Sequence, residues 1–305
     1  MRTKVGRLRM QDYGSAGLAP ALPRGTTRVW LSLALLMVAL LVTVPVYSGL
    51  PTKALVIANR FGLAALWGLL ALATTRTERL AWARPVLLSL FGVSLGFSLT
   101  YFVGDGLAAW LGLSTARPIG AALAKLSEAL PMYATIFLAA FLARQSLASL
   151  GLRKGRLWLS LGLGLLSAVP LLGMVALDPA GDMKALLAVP AATVLSWLPW
   201  IGLFSIANGF MEELWFRGSW FGAFRQAIGS PAAMHVTSIA FGLFHVIVYW
   251  GQPAMFLLLA PVWLYMGYAY AFIVRKTGSL WGAVLSHAIA DVLFLLVAFG
   301  SRGGL

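Results

Sequence analysis

The sequence predicts an all-α fold, a polytopic bundle of about nine transmembrane helices (eight possible) with its N-terminus in the cytoplasm. Three observations carry this reading. Of the 305 residues, 60% are hydrophobic and 10% are charged, where soluble domains are nearer one quarter charged. The apolar residues fall into runs close to the roughly 20 residues that a helix needs to cross a bilayer. Lys and Arg gather in the short connections between those runs, the distribution that sets membrane orientation.

Taken in order, residues 1–28 form a basic tail bearing Arg2, Lys4, Arg7, Arg9, Arg24 and Arg28. Its apolar part begins too late for a secretory signal, so the tail is expected to be cytoplasmic and the first span an uncleaved anchor. Spans are predicted at 29–49, 54–75, 85–104, 121–143 and 157–177, the N-terminal transmembrane group 29–177. Further spans follow at 187–214, 231–250, 255–274 and 278–299, and 300–305 is a short C-terminal tail. Three spans are imperfect: the second carries Arg60, the fourth Lys125, Glu128 and Pro131, and the sixth Pro190 and Pro199. A bundle tolerates such prolines because neighbouring groups re-satisfy the freed carbonyls. Gly106 to Ala116 is too short to cross. The Gly- and Leu-rich run Leu159 to Leu172 reads as close packing through small residues.

The net charge is +14, from 23 Lys and Arg against nine Asp and Glu. No basic stripe interleaves with aromatics, so no nucleic acid is expected as a partner. The basic loops suit an anionic leaflet instead. With the N-terminus inside, 17 of the 23 cations fall in cytoplasmic segments, which predicts nine spans with the N-terminus in and the C-terminus out; the multi-pass protein is expected in the plasma membrane. The absence of cysteine excludes disulfides, thiolate nucleophiles and cysteine metal sites.

Ionisable groups in an apolar span are costly and point to function. The stretch Asn208-Gly-Phe-Met-Glu212-Glu213-Leu-Trp-Phe-Arg217-Gly218 ends the sixth span with two adjacent acids and an arginine. On a helix Glu213 and Arg217 share a face and can pair, while Glu212 points about 100° away. One carboxylate is then neutralised and the other free, the separation that acid–base sites use. The alternative is a solvated helix end with one salt bridge. The seventh span places Phe241, His245 and Tyr249 at four-residue spacing, and the ninth places His287 and Asp291 likewise. One carboxylate can orient the imidazole of the other helix; the alternative is a single buried His287–Asp291 hydrogen bond that fixes helix register. Three helices each offering carboxylate or imidazole fit a buried hydrolytic centre.

These three motifs, Glu212-Glu213-x-x-x-Arg217, Phe241-x-x-x-His245 and His287-x-x-x-Asp291, resemble the signature of the CAAX prenyl endopeptidase and bacteriocin-processing (CPBP, or Abi) intramembrane proteases. Ser149-Leu-Gly-Leu-Arg-Lys-Gly is similar to that family's linker ahead of its domain. The resemblance implies a CPBP-type catalytic helical core over 183–299. One departure is Asp291, where the prenyl endopeptidase branch has Asn; an ionised Asp accepts hydrogen bonds only.

The resemblance further implies that Glu212 is the general base, His245 its partner and His287 the oxyanion donor, with Asp291 assisting and Glu213 tied to Arg217. The implied activity is an intramembrane endopeptidase, glutamic or metallo, in a cavity open to the cytoplasm. Zinc is weighed as a cofactor with Glu212, His245 and His287 as ligands. Metal-free glutamate chemistry is preferred because Arg217 occupies Glu213. The expected partners are the bilayer and a peptide or protein substrate, which in this family can be lipid-modified. The alternative class is a non-enzymatic scaffold or immunity protein, or a proton-coupled transporter. Such proteins also bury ionisable residues. No inverted repeat favours transport.

Overall fold

The computed structural model describes residues 25–47, 52–177, 182–249 and 251–302. The expectations for residues 1–24 of the basic tail, and for the last three residues of the C-terminal tail, lie outside these. Among the described residues the protein is helical without strands, and nine helices are long and apolar enough to cross a membrane.

The predicted spans correspond to α1 (Thr26–Tyr47), α2 (Lys53–Ala73), α3 (Arg84–Val103), α5 (Pro118–Leu142) and α6 (Leu157–Leu177) in the N-terminal group. The remaining four are α8 (Ala191–Glu213), α10 (Ser230–Val246), α11 (Pro253–Thr277) and α12 (Trp281–Gly300). Three short helices lie between them, α4 (Gly106–Trp110), α7 (Asp182–Leu187) and α9 (Phe221–Ile228). Three boundaries differ from expectation. The first helix starts at Thr26, inside the stretch read as tail. The sixth span is broken, because α7 ends at Leu187 and α8 starts after Pro190; proline pushes the residue before it out of helical conformation. The seventh span leaves α-helix at Val246 and continues as a 3₁₀ turn, Ile247–Tyr249. Tyr249 therefore falls off the regular repeat of Phe241 and His245.

The charged residues of the imperfect spans are satisfied locally. Arg60 Nη1 donates to the Phe97 carbonyl at 2.9 Å, and Lys125 pairs with Glu128 one turn on. These contacts offset the cost of placing ions among hydrocarbon.

Glycines set how closely α12 is gripped. A Cβ on Gly282 would lie 1.9 Å from the Ser160 carbonyl of α6, and one on Gly164 would lie 2.3 Å from the Gly282 carbonyl. The Gly-Leu run thus packs α6 against α12, backbone to backbone. On the other side, a Cβ on Gly209 of α8 would meet the Ala288 nitrogen at 3.2 Å. The stretch resembling a family linker closes one end: Gly151 accepts from the Leu280 N–H at 3.1 Å, and Arg153 Nε donates to the Gly278 carbonyl at 2.8 Å. The turn between α11 and α12 is held to the loop preceding α6, and α12 is fixed in register against α8.

Candidate active site

α8 ends on Glu212 and Glu213, and the chain continues as a π-helical segment, Leu214–Trp220. Wide turns of this kind are rare and often sit at functional sites. Every residue of the segment is buried, Trp215 and Phe216 stacking at 4.2 Å and Phe216 packing edge-on to Phe241 at 5.2 Å. Aromatic packing on this scale holds the segment in place.

Glu213 and Arg217 pair as the spacing predicts. Arg217 Nη1 lies 2.8 Å from Glu213 Oε1, with both side chains fully buried. Arg217 Nη2 donates to the Gly267 carbonyl at 2.9 Å, and its guanidinium lies 4.3 Å from the centre of the Phe241 ring. The motif phenylalanine is therefore a cation–π platform for the arginine.

Glu213 does more than the sequence reading gave it. The same Oε1 accepts a hydrogen bond from His287 Nδ1 at 2.9 Å, so Arg217 does not use it up. Glu212 faces elsewhere, as expected. Its Oε2 lies 3.1 Å from His245 Nε2 and 3.8 Å from His287 Nε2.

The tautomers follow from the partners. His245 Nδ1 faces the Phe241 carbonyl at 2.9 Å, and a carbonyl only accepts, so that nitrogen carries the proton. His287 Nδ1 lies 2.9 Å from Glu213 Oε1, the oxygen that also accepts from Arg217, so that nitrogen too carries a proton. Both rings thus turn Nε2 toward Glu212. Trp263 stacks on His245 at 4.5 Å and Tyr270 on His287 at 5.5 Å, which fixes both ring planes.

The carboxylate that orients an imidazole across helices is thus Glu213. Asp291 does not form the register-fixing bond to His287, since its Oδ1 is 3.9 Å from His287 Nε2, beyond hydrogen-bond range. Asp291 is bonded across helices instead, Asn208 Nδ2 donating to its Oδ2 at 3.0 Å. Sequence reasoning gave Asn208 no role. The signal was available, since Asn208 precedes Glu212 by four residues and shares its face of α8. All six predicted residues, Glu212, Glu213, Arg217, His245, His287 and Asp291, are linked by these contacts. The third histidine, His235, lies apart on an exposed stretch against Tyr268.

Residues 194–293 match the family model described as type II CAAX prenyl endopeptidase Rce1-like. The likeness covers 100 of the 305 residues. No match was found among curated proteins or among solved structures. The Rce1-like segment holds every residue of the cluster and leaves α1 to α7 outside it. The apolar helices make the chain a multi-pass membrane protein, and residues 194–293 are its part similar to the CAAX proteases.

Zinc would draw on Glu212, His245 and His287, which are suitable donor types. Among the described residues, however, no three His, Asp or Glu side chains are placed to hold a metal ion as they stand.

Proposed function

We propose that the Rce1-like segment is an intramembrane endopeptidase in which Glu212 activates a water for attack on a peptide bond, in a cavity open to the cytoplasm. One observation supports this above others. The carboxylate of Glu212, a residue only 5% exposed, is left out of the Glu213–Arg217 pair, and two imidazole Nε2 atoms face its Oε2 at 3.1 and 3.8 Å. A buried carboxylate set between two imidazoles, with no arginine on it, suits a base that takes a proton from water.

The residues divide the work. Glu212 Oε2 takes a proton from water as the hydroxide oxygen bonds to the scissile carbonyl carbon. The carbonyl π pair moves onto oxygen; in this reading His287 carries a proton on each ring nitrogen, and its Nε2–H faces the developing charge. Glu213 holds His287 Nδ1 throughout, so the donor is aimed before reaction, which is where such stabilisation gains its effect. The tetrahedral centre then collapses, the C–N bond breaks, and the proton on Glu212 passes to the leaving amine. His245, fixed through Phe241, keeps the Glu212 carboxylate oriented. The charge distribution, with 17 of the 23 cations in the tail and segments read as cytoplasmic, supports an opening toward the cytoplasm.

The test uses purified protein in detergent and a peptide ending in a prenylated cysteine, two aliphatic residues and a free C-terminal residue, the substrate class that the family description names. Cleavage by the wild type and its loss in Glu212→Gln support the reading.

A further inference from the structure

Asn208 stands beside the reacting groups without a part in the mechanism above. Resting on the proteolytic reading, we propose that Asn208 is a catalytic residue: its second Nδ2–H reaches the carbonyl oxygen of the scissile bond, and Asp291 is the positioning residue that aims it.

The hydrogen bond to Asp291 fixes the direction of the amide. A carboxylate accepts, so the face of Asn208 toward Asp291 Oδ2, 3.0 Å away, is its nitrogen. That nitrogen carries two hydrogens, and Asp291 takes one. The rest of the geometry locates the other. Asp291 Oδ1 and Glu212 Oε2 lie 3.9 and 3.8 Å from one atom, His287 Nε2. Asn208 is bonded to the first of these carboxylates and sits one turn, a rise of about 6 Å, from the second along α8. In this proposal the scissile carbonyl enters between Asn208, His287 and Glu212. All three are buried, Asn208 being 7% exposed.

The chemistry of that space needs donors. Its carboxylates only accept, and an oxyanion is stabilised by N–H groups already in place. His287 Nε2 and Asn208 Nδ2 are the donors available on the two facing helices. As hydroxide adds and the carbonyl pair moves to oxygen, these two N–H groups hold the negative oxygen; as the C–N bond breaks they release it. No proton leaves Asn208 in either step.

The local backbone is built to hold this amide. Tyr133 Oη donates to the carbonyl of Ala207 at 2.7 Å, pinning α8 at the residue before Asn208. Gly209, the residue after, has no side chain, and a Cβ there would crowd the Ala288 nitrogen at 3.2 Å. One neighbour fixes the height of Asn208, and the other admits α12 close enough for Asp291 to reach it.

The experiment compares the prenylated peptide with the same peptide carrying a difluoromethyl ketone at the scissile carbonyl, which hydrates to a tetrahedral mimic. In Asn208→Ala, kcat should fall by about 10²-fold with KM nearly unchanged, and affinity for the ketone should fall in parallel. Asn208→Leu keeps the volume without the donor and gives the same result where the smaller variant is poorly recovered. Asn208→Asp should be as impaired. The exchange Asn208→Asp with Asp291→Asn restores an amide–carboxylate pair but leaves position 208 without a donor, so kcat should stay as low as in Asn208→Asp while the melting temperature recovers. A purely structural role predicts lower yield and melting temperature with kcat per folded molecule and ketone affinity unchanged, and that result overturns the inference. If the wild type cleaves the peptide and Asn208→Leu cleaves it equally, the inference falls while the proteolytic reading stands. A wild type that neither cleaves the peptide nor binds the ketone overturns both.

Discussion

Glu213 Oε1 lies 2.9 Å from His287 Nδ1, and Arg217 holds the same oxygen at 2.8 Å. A single carboxylate oxygen therefore joins the end of α8 to the middle of α12 and dictates which nitrogen of His287 faces Glu212. Outer partners of this kind set tautomer and ring orientation. The two adjacent glutamates divide the site between them, Glu212 toward the space where reaction is proposed and Glu213 toward its support.

That division makes the two acids respond differently to the same change. Glu213→Gln strands Arg217 in the interior, and removing one partner of a buried pair costs about 3–5 kcal/mol. It also weakens the hold on His287. Expression, melting temperature and kcat should all fall in Glu213→Gln, whereas Glu212→Gln should lose kcat alone. Equal and purely catalytic losses at both positions would count against the assignment.

Packing around α12 is predicted to be unforgiving at Gly282. Its missing Cβ would sit 1.9 Å from the Ser160 carbonyl, and backbone cannot move aside as a side-chain end does. Gly282→Ala should destabilise the protein by about 1–3 kcal/mol or more, read as a lower melting temperature in detergent. Gly162→Ala, with nothing within 4 Å of the added carbon, should be close to neutral. Similar melting curves for the two variants would refute the packing argument.

Much of this architecture is legible in the sequence because hydrophobic run length and charge placement are governed by the bilayer itself. The predicted 157–177 coincides with α6, and the Glu213–Arg217 pair follows from helical spacing. Contacts between helices are less legible. Asn208 and Asp291 are 83 residues apart, and no local period brings them together. The His287–Glu213 bond, over 74 residues, was missed because pairing Glu213 with Arg217 seemed to complete it; a carboxylate oxygen can accept from two donors. The π-helical segment has no signal in hydrophobic period, since all seven of its residues are buried. The break at Pro190 could have been read from proline alone.

Topology follows from the loop charges. A reporter fused after Lys276, between α11 and α12, should read cytoplasmic, and one fused after Leu305 should read external. The reverse pattern would overturn both the orientation and the cytoplasmic opening.

Metal dependence separates two forms of the same chemistry. If Glu212 works as a base without an ion, dialysis against EDTA or 1,10-phenanthroline leaves peptide cleavage unchanged. Loss of activity restored by zinc would instead assign Glu212, His245 and His287 as ligands.

The most direct test of the central claim is single-turnover cleavage of the prenylated peptide by wild type and Glu212→Gln, each matched for folded protein by its melting curve. The substitution keeps the shape of the side chain and removes only its capacity to take a proton. The account predicts that Glu212→Gln folds as the wild type does and cleaves slower by at least about 10²–10⁴-fold, the range of general-base catalysis. A folded Glu212→Gln that cleaves at the wild-type rate would contradict it.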